Sequence, residues 1–300
     1  MYDIIINPVA GGNSTRRDAK TIYGYLKKNN IAHKIHFSEH PKHISEIMKS
    51  ITSQRTERKV IVVGGDGTFN EALSGIENFD KTTLGFIPTG SGNDFAHSMR
   101  LKRNPIAALE DILLENTGAI DYIQCGDIRS INVIATGLDT EVLNKYNRAK
   151  VFKGKVAYIL ALLGVLMRFK FYQFEIKADD RDISGEFMLA ACCNGSRFGG
   201  SIPVSPRSDI TDGKINLVLI HKVKKIRIPF LLMKFLKGSH LSENWAEEIL
   251  CDRATITTLN GPKMLETDGE LYNNIPFEAE IKAGKLKVFL PTEGTKKEVF

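Results

Sequence analysis

Apolar residues follow two different rhythms along this chain, and the change comes near residue 120. In the first part, short apolar segments at 2–6, 35–37, 60–63 and 84–87, the third with no polar break, alternate with segments whose apolar residues recur every three or four positions. Those segments carry Ala19, Ile22, Tyr23 and Leu26, then Ile44, Ile47, Met48 and Ile51, then a stretch over 106–114. A run without polar breaks suits a strand covered on both faces of a parallel sheet, and the wider spacing suits the helices that cover it. Strand and helix in alternation predict right-handed βαβ units. Ligands on such sheets sit at the carboxyl ends of the strands, where glycine turns follow Ile6, Val63 and Ile87.

Beyond Asp121 the apolar segments are short and β-rich: 131–135, 171–176, 187–192, 215–220, 254–259, 277–281 and 286–290. Several alternate apolar and polar residues, as in Phe277-Glu278-Ala279-Glu280-Ile281. The expected architecture is an α/β N-terminal domain over 1–121, a parallel sheet flanked by helices. A mainly antiparallel, β-sandwich-like domain over 122–289 follows it. Two helical insertions are predicted in the second part, over 154–168 and 224–240.

Composition narrows this little. A chain of 300 residues suits two domains, and 42% hydrophobic with 25% charged residues is ordinary for a globular protein. A net charge of +6 and a pI near 9.0 suit an anionic partner without choosing among nucleotide, nucleic acid and acidic lipid. The four cysteines, Cys125, Cys192, Cys193 and Cys251, show no C-x-x-C spacing, so reduced buried thiols are expected rather than zinc or a disulfide framework. No basic n-region precedes an apolar core at the start, and the longest apolar run, 156–167, is too short to span a bilayer. A soluble, cytoplasmic protein is expected.

The chemistry concentrates in Gly64-Gly65-Asp66-Gly67-Thr68, which joins the run 60–63 to a helical segment carrying Phe69, Ala72, Leu73 and Ile76. A strand, a glycine turn and a helix bring backbone amides and a positive helix end to one point, where a phosphate can sit. A carboxylate in such a turn would repel phosphate unless Mg²⁺ lies between them. That arrangement points to phosphoryl transfer rather than hydride transfer. A plain turn whose Asp or Thr caps the helix is the simpler alternative. A second turn, Pro88-Thr89-Gly90-Ser91-Gly92-Asn93-Asp94-Phe95, again carries an acid at a probable helix start. Neither a G-x-x-x-x-G-K-[ST] loop nor the protein-kinase H-R-D set occurs.

These two turns, followed in order by Ala135-Thr136-Gly137-Leu138-Asp139, Cys193-Asn194-Gly195-Ser196, the stretch 205–214 and Thr267-Asp268-Gly269-Glu270, resemble the catalytic domain of diacylglycerol kinases. Sphingosine and ceramide kinases and small bacterial lipid kinases share it. The resemblance covers nearly the whole chain and implies an ATP- and Mg²⁺-dependent lipid kinase, with diacylglycerol the expected substrate and the active site between two domains. It implies ATP contacts at Asn7, Pro8, Val9, Ala10, Gly11, Ser38, Gly65, Asp66, Gly67, Thr68, Phe69, Asn70, Glu71 and Ser91. Glu270 matches the catalytic carboxylate that takes the proton of the lipid hydroxyl, Asp66 would help hold the catalytic Mg²⁺, and Asp94 and Asp121 fit a supporting acidic network. A structural Mg²⁺ is implied at the Asp212 side chain and the carbonyls of Asp209 and Lys214. Thr211 stands where some relatives carry a second acid. The last residues, 290–300, are expected to return to the first domain.

The partners so implied are ATP, a membrane lipid and an anionic membrane surface at the inner face of the membrane, with no nucleic acid. A homodimer is left open. Lys150, Lys153 and Lys155 before the run 156–167, with Arg168 and Lys170 after it, suit adsorption to acidic lipid. So do Lys222, Lys224, Lys225 and Arg227 before Ile228-Pro229-Phe230-Leu231-Leu232-Met233; apolar packing with a solvated charged rim is the alternative for both. His33, His36, His40 and His43 are interrupted by Pro41 and read as a solvated loop rather than a metal site. Three other readings stay open. They are a kinase of phosphatidylglycerol or a sphingoid base, a soluble-substrate kinase of the NAD kinase type, and a non-catalytic nucleotide- or membrane-binding regulator.

Overall fold

Tyr2–Ile6 forms β1, buried at every residue, between parallel neighbours β2 (His33–Phe37) and β3 (Arg58–Gly64). β4 (Thr82–Pro88) continues the parallel ladder beyond β3, and Lys287 and Val288 from the chain's end pair in parallel beside Thr83 and Leu84. The computed structural model describes residues 1–148, 162, 164–166, 169–261, 263–294 and 299–300. It divides into two units: Met1–Asp121 with Gly284–Phe300, and Tyr122–Ala283.

In the first unit, helices cover the sheet. α1 (Asn13–Lys28) buries Ala19, Ile22 and Leu26 against Ile4, Ile6, Ile61 and Val63, and α5 (Pro105–Leu113) packs beside it through Ala108, Leu109 and Ile112. α5 starts where Asn104 Oδ1 accepts from the Ile106 and Ala107 amides (2.9 and 3.2 Å), with Pro105 fixing the first turn. α2 (His43–Thr52) and α3 (Asp66–Ser74) pack on each other, and the short α4 (Asp94–Ser98) follows β4. Successive side chains of a strand point to opposite faces, so a strand covered on both sides needs apolar residues throughout. That is the pattern of 60–63.

The second unit is antiparallel. After β5 (Thr117–Cys125) and β6 (Ile128–Ser130) come β7 (Val133–Gly137), α6 (Leu138–Arg148), β8 (Tyr172–Ala178) and β9 (Arg181–Cys193). β10 (Ile215–His221), α7 (Ile228–Leu236), β11 (Ala246–Cys251), β12 (Arg253–Thr258), β13 (Met264–Thr267), β14 (Glu270–Asn273) and β15 (Phe277–Phe289) complete it. β9 explains the layering. Its first half alternates in exposure and pairs with β8, whereas its second half is buried throughout and runs between β7 and β10. One strand thus serves a half-solvated sheet and then a fully covered one.

The α/β-then-β-sandwich architecture agrees with the alternation of periods, with local differences. The runs 277–281 and 286–290 are one strand, β15, because Gly284 at φ 60° turns the backbone without ending the strand. The chain therefore returns to the first unit at Gly284, ahead of 290. α6, β11, β13 and β14 carry too few spaced apolar residues to stand out in the sequence. The segment 224–240 is a 3-10 turn (Lys225–Arg227), then α7, then a 3-10 turn at His240–Ser242. The helix expected over 154–168 lies outside the described residues, apart from 162 and 164–166, which are helical; Lys150, Lys153, Lys155 and Arg168 also lie outside them. All four cysteines are buried and free. Among the described residues no helix is long and apolar enough to cross a membrane.

Candidate active site

In the first unit three loops leave the carboxyl ends of β1, β3 and β4 and touch. The Asn7 amide donates to Val63 O at 3.1 Å and the Thr89 amide to Gly64 O at 2.7 Å, so the ladder continues past the strands. Glycine is required at the closest approaches. A Cβ on Gly11, whose φ is +57°, would lie 2.1 Å from Thr89 O, and one on Gly90 would lie 2.5 Å from the Gly65 Cα. Buried Thr15 Oγ1 reaches Thr89 Oγ1 at 2.8 Å, and Asn7 Nδ2 donates to Thr68 Oγ1 at 3.0 Å. Asn7, Gly11, Gly65 and Thr68 are therefore brought together, with Val9, Gly67 and Ser91 exposed and Pro8 and Ala10 partly so. Ser38 follows β2, held by its amide to Ile6 O at 3.0 Å.

Asp66 opens α3, and its carboxylate reaches across to α4. Oδ2 accepts from the Asp94 amide at 2.8 Å and Oδ1 from the Phe95 amide at 3.0 Å. Asn93, the residue before α4, sits at φ 56° and gives the helix no side-chain cap; its Nδ2 donates to Gly90 O at 2.8 Å. Asp66 thus performs the capping from a neighbouring loop, with Asp94 buried beside it. A carboxylate offers about four acceptor positions, so accepting from amides does not by itself bar it from holding a cation. The donors here are hard oxygens, joined by Asn93 Oδ1, which is buried without a hydrogen bond, and such a set fits Mg²⁺.

Some implied ATP contacts serve the scaffold. The Phe69 ring is fully buried between Phe86 (4.9 Å) and Phe95 (4.8 Å), so only its backbone can face a nucleotide. Glu71 Oε1 accepts from the Ile44 amide at 3.0 Å, tying α3 to the start of α2, and partly buried Asn70 accepts at its carbonyl from Ser74 Oγ at 3.0 Å. Asp121 is buried on β5, where its Oδ1 accepts from the Gly284 amide at 2.6 Å and fastens the returning chain. His40, His43 and Glu46 bring ligand atoms within 4.8 Å of one another. His43 Nδ1, however, accepts from the Glu39 amide at 3.0 Å, which puts its proton on Nε2, and a metal there would have to displace it.

In the second unit, Thr267-Asp268-Gly269-Glu270 turns from β13 to β14, with positive φ at Asp268 (47°) and Gly269 (95°) as a tight hairpin requires. The Asp268 carboxylate accepts from Ser130 Oγ at 2.7 Å and the Ile131 amide at 2.9 Å, anchoring the turn to the segment before β7. Burial outweighs these bonds and pushes its pKa up to about 6. Glu270 stays exposed, its Oε2 accepting from the Tyr272 hydroxyl at 2.8 Å. Burial and Glu270 together raise the Tyr272 pKa, so that hydroxyl remains a donor.

The loop 209–214 is built from two local turns. Asp209 Oδ1 accepts from the Thr211 amide (3.0 Å) and hydroxyl (2.7 Å), and Asp212 Oδ1 from the Lys214 amide at 2.9 Å. The Lys214 ammonium binds Asp252 Oδ1 at 2.6 Å, which raises its pKa. A carboxylate and two carbonyls are the donors a hard cation takes, so the loop fits Mg²⁺ by donor type.

Also in this unit, α6, α7, Leu162, Leu166 and strands β9 and β10 line a small apolar cavity of about 50 Å³. Among the described residues its one acidic lining residue is Asp139, 4% exposed, whose carboxylate oxygens are both buried without a well-formed hydrogen bond. Burial pushes the Asp139 pKa up to about 7, against weak opposition from the nearby Asp139 and Thr140 amides.

Two family domains match this chain. The diacylglycerol kinase catalytic domain covers residues 2–125, and the YegS C-terminal NAD kinase beta sandwich-like domain covers 132–290. The chain belongs to the diacylglycerol kinase family. Among members of this lipid kinase family, the diacylglycerol kinase of Mycobacterium tuberculosis is 29% identical over 243 residues, 78% of this chain and 77% of that one. The diacylglycerol kinase of Bacillus subtilis is 29% identical over 239 residues, 78% of each. A crystal structure of a diacylglycerol kinase from Bacillus anthracis superposes with a TM-score of 0.78 at 23% identity, covering 96% of both chains. An NAD kinase from Archaeoglobus fulgidus in complex with ATP reaches 0.55 at 12% identity, covering 97% of this chain and 94% of that one. Both structural likenesses show the fold alone.

For a member of the diacylglycerol kinase family, sequence reasoning missed three groups. Thr15 and Thr89 lock the first loops together, Asp268 anchors the turn that carries Glu270, and Asp139 sits in the cavity. Asp139 had a legible signal, an acid two residues after the buried run 133–137, but nothing in the sequence gave it a partner.

Proposed function

We propose that this chain is an ATP- and Mg²⁺-dependent lipid kinase that converts diacylglycerol to phosphatidic acid. The observation that carries the lipid reading is the apolar cavity of the second unit. Charged, polyhydroxylated NAD has no reason to seek a lining of Leu, Val, Met, Phe and Ile side chains, whereas the apolar part of a lipid does. Among the described lining residues, Asp139 is the group that can hydrogen-bond a lipid hydroxyl or ester. Names of relatives support diacylglycerol over other lipid alcohols.

In this reading the amides of the three glycine turns cradle the phosphates of ATP, with Asn7, Thr68, Ser38 and Ser91 at the rim. Mg²⁺ held by Asp66 would neutralise charge on the phosphate oxygens, and a second Mg²⁺ at Asp209, Asp212 and Lys214 would rigidify its loop. Asp94 supports the acidic site, while Asp121 acts through the scaffold. Glu270 takes the proton as the lipid O–H bond breaks. The oxygen then bonds to the γ-phosphorus, and the bond to the bridging oxygen breaks with its electron pair leaving on ADP. Tyr272 holds Glu270 in place for that role.

The test is transfer of labelled γ-phosphate from ATP to a panel of diacylglycerol, phosphatidylglycerol, sphingosine and NAD. Diacylglycerol should lead. Phosphate on NAD alone, or on nothing, would overturn the reading. Glu270→Gln should abolish turnover while ATP binding persists.

A further inference from the structure

α7 is apolar on two sides. Leu231, Leu232 and Phe235 line the cavity, while Phe230 (43% exposed) and Met233 (47%) face solvent. Ile226, in the 3-10 turn just before, is 86% exposed on the same stripe, at i, i+4, i+7 with the other two. Leu236 belongs to both sides, lining the cavity and 41% exposed. A helix apolar all round is normally covered all round.

Charge names the cover. Between positions 221 and 242 the sequence has six lysines and arginines and no acid. Lys222 pairs with Glu186 (2.6 Å) and Lys234 with Glu243 (2.9 Å). Among the described residues Lys224, Lys225, Arg227 and Lys237 form no ion pair, and all four are exposed. An apolar stripe between unpaired cations matches the boundary of an anionic bilayer, where acyl chains meet charged headgroups. A protein groove would have to supply both an apolar trough and four acids.

We infer that the 3-10 turn Lys225–Arg227 and α7 form the docking surface for an anionic phospholipid bilayer. Ile226, Phe230 and Met233 enter the acyl boundary, Lys224, Lys225, Arg227 and Lys237 lie among the headgroups, and Leu236 marks the edge a lipid crosses to reach the cavity. This rests on the lipid-kinase reading for the traffic through Leu236, but not for adsorption itself.

Vesicle co-sedimentation of the full chain tests it. Vesicles with about 30 mol% phosphatidylglycerol in phosphatidylcholine should bind at least about tenfold more tightly than pure phosphatidylcholine, and about 0.5 M salt should erase much of the difference. Ile226→Glu with Phe230→Glu, and separately Lys224→Glu with Lys225→Glu, should each reduce binding about tenfold. Turnover of a short-chain diacylglycerol dispersed as monomers should stay unchanged in both variants. Ile226 and the lysines are too exposed for misfolding to explain a loss, and a wild-type melting temperature checks this. Wild-type protein that ignores anionic vesicles, self-association in their place, variants that bind normally, or variants that lose the monomeric substrate would each overturn the surface. Vesicle binding by a protein that phosphorylates no lipid would leave the surface standing and sink the kinase reading alone.

Discussion

Replacing Asp66 separates what the acid does for the fold from what it does for phosphoryl transfer. α4 has five residues and no side-chain cap of its own, so it cannot persist without outside help. Asp66 accepts both leading amides, at 2.8 and 3.0 Å. Hydrogen bonds to a charged group contribute about 1.5–3 kcal/mol each, and partial exposure of Asp66 lets water recover part when it is removed. Asp66→Ala should therefore lower unfolding free energy by about 2–4 kcal/mol, a large share of the roughly 5–15 kcal/mol available to a domain. Phe95 would loosen from Phe69 as α4 frays. Asp66→Asn keeps one carbonyl oxygen for one amide and should lose about 1–2 kcal/mol. Urea unfolding followed by circular dichroism reads both numbers, and a lipid phosphorylation assay reads the chemistry. With the fold retained, Asp66→Asn should still lose more than about hundredfold in turnover, because a neutral amide holds the cation poorly. An alanine variant within about 0.5 kcal/mol of wild type would refute the capping argument. An asparagine variant with normal turnover would make Asp66 purely structural.

Asp139 should give the protein a pH signature. Its pKa rises from 3.8 unfolded to about 7 folded, so its stabilising protonated state is fully present below pH ~4 and lost as pH rises through 7. Unfolding free energy should fall over that window by at most about 1.4 kcal/mol per pH unit, and Asp139→Asn should flatten the curve; an unchanged slope would remove Asp139 as its source. Asp268, raised to about 6, adds to the same trend up to pH ~6. Asp268→Ala should cost about 3–5 kcal/mol by removing the carboxylate to which Ser130 Oγ and the Ile131 amide donate, with thermal melts as the readout and Asp268→Asn visibly milder. Gly11→Ala drives a Cβ against Thr89 O from a positive φ, and should weaken ATP binding in calorimetry along with about 1–3 kcal/mol of stability.

Much of the fold was legible because parallel and antiparallel sheets leave different periods in a sequence. The run 60–63 and the alternation at 277–281 each announce the layer they build. α6 was not legible, since its stretch carries few apolar residues at helical spacing. β11, β13 and β14 are short and half-exposed, so packing rather than pattern defines them. In the site, glycine spacing located the phosphate loops, but it could not show that Phe69 points inward or that Glu71 is spent on α2. Residue type allows either use, and only the neighbours decide. Asp121 illustrates the same limit. Its acid suits a catalytic network in sequence, and the Gly284 amide gives it a different task.

The single strand β15 also sets an order of assembly. Lys287 and Val288 supply the strand beside β4, yet a ribosome makes them only after the whole of Tyr122–Ala283. Until then the nascent first unit holds β4 as an open edge, able to pair with another chain. Folding of the amino-terminal half during synthesis must therefore stay provisional, whatever its local contacts allow. A chain released before residue 284 should emerge as an aggregation-prone fragment rather than a half-active enzyme.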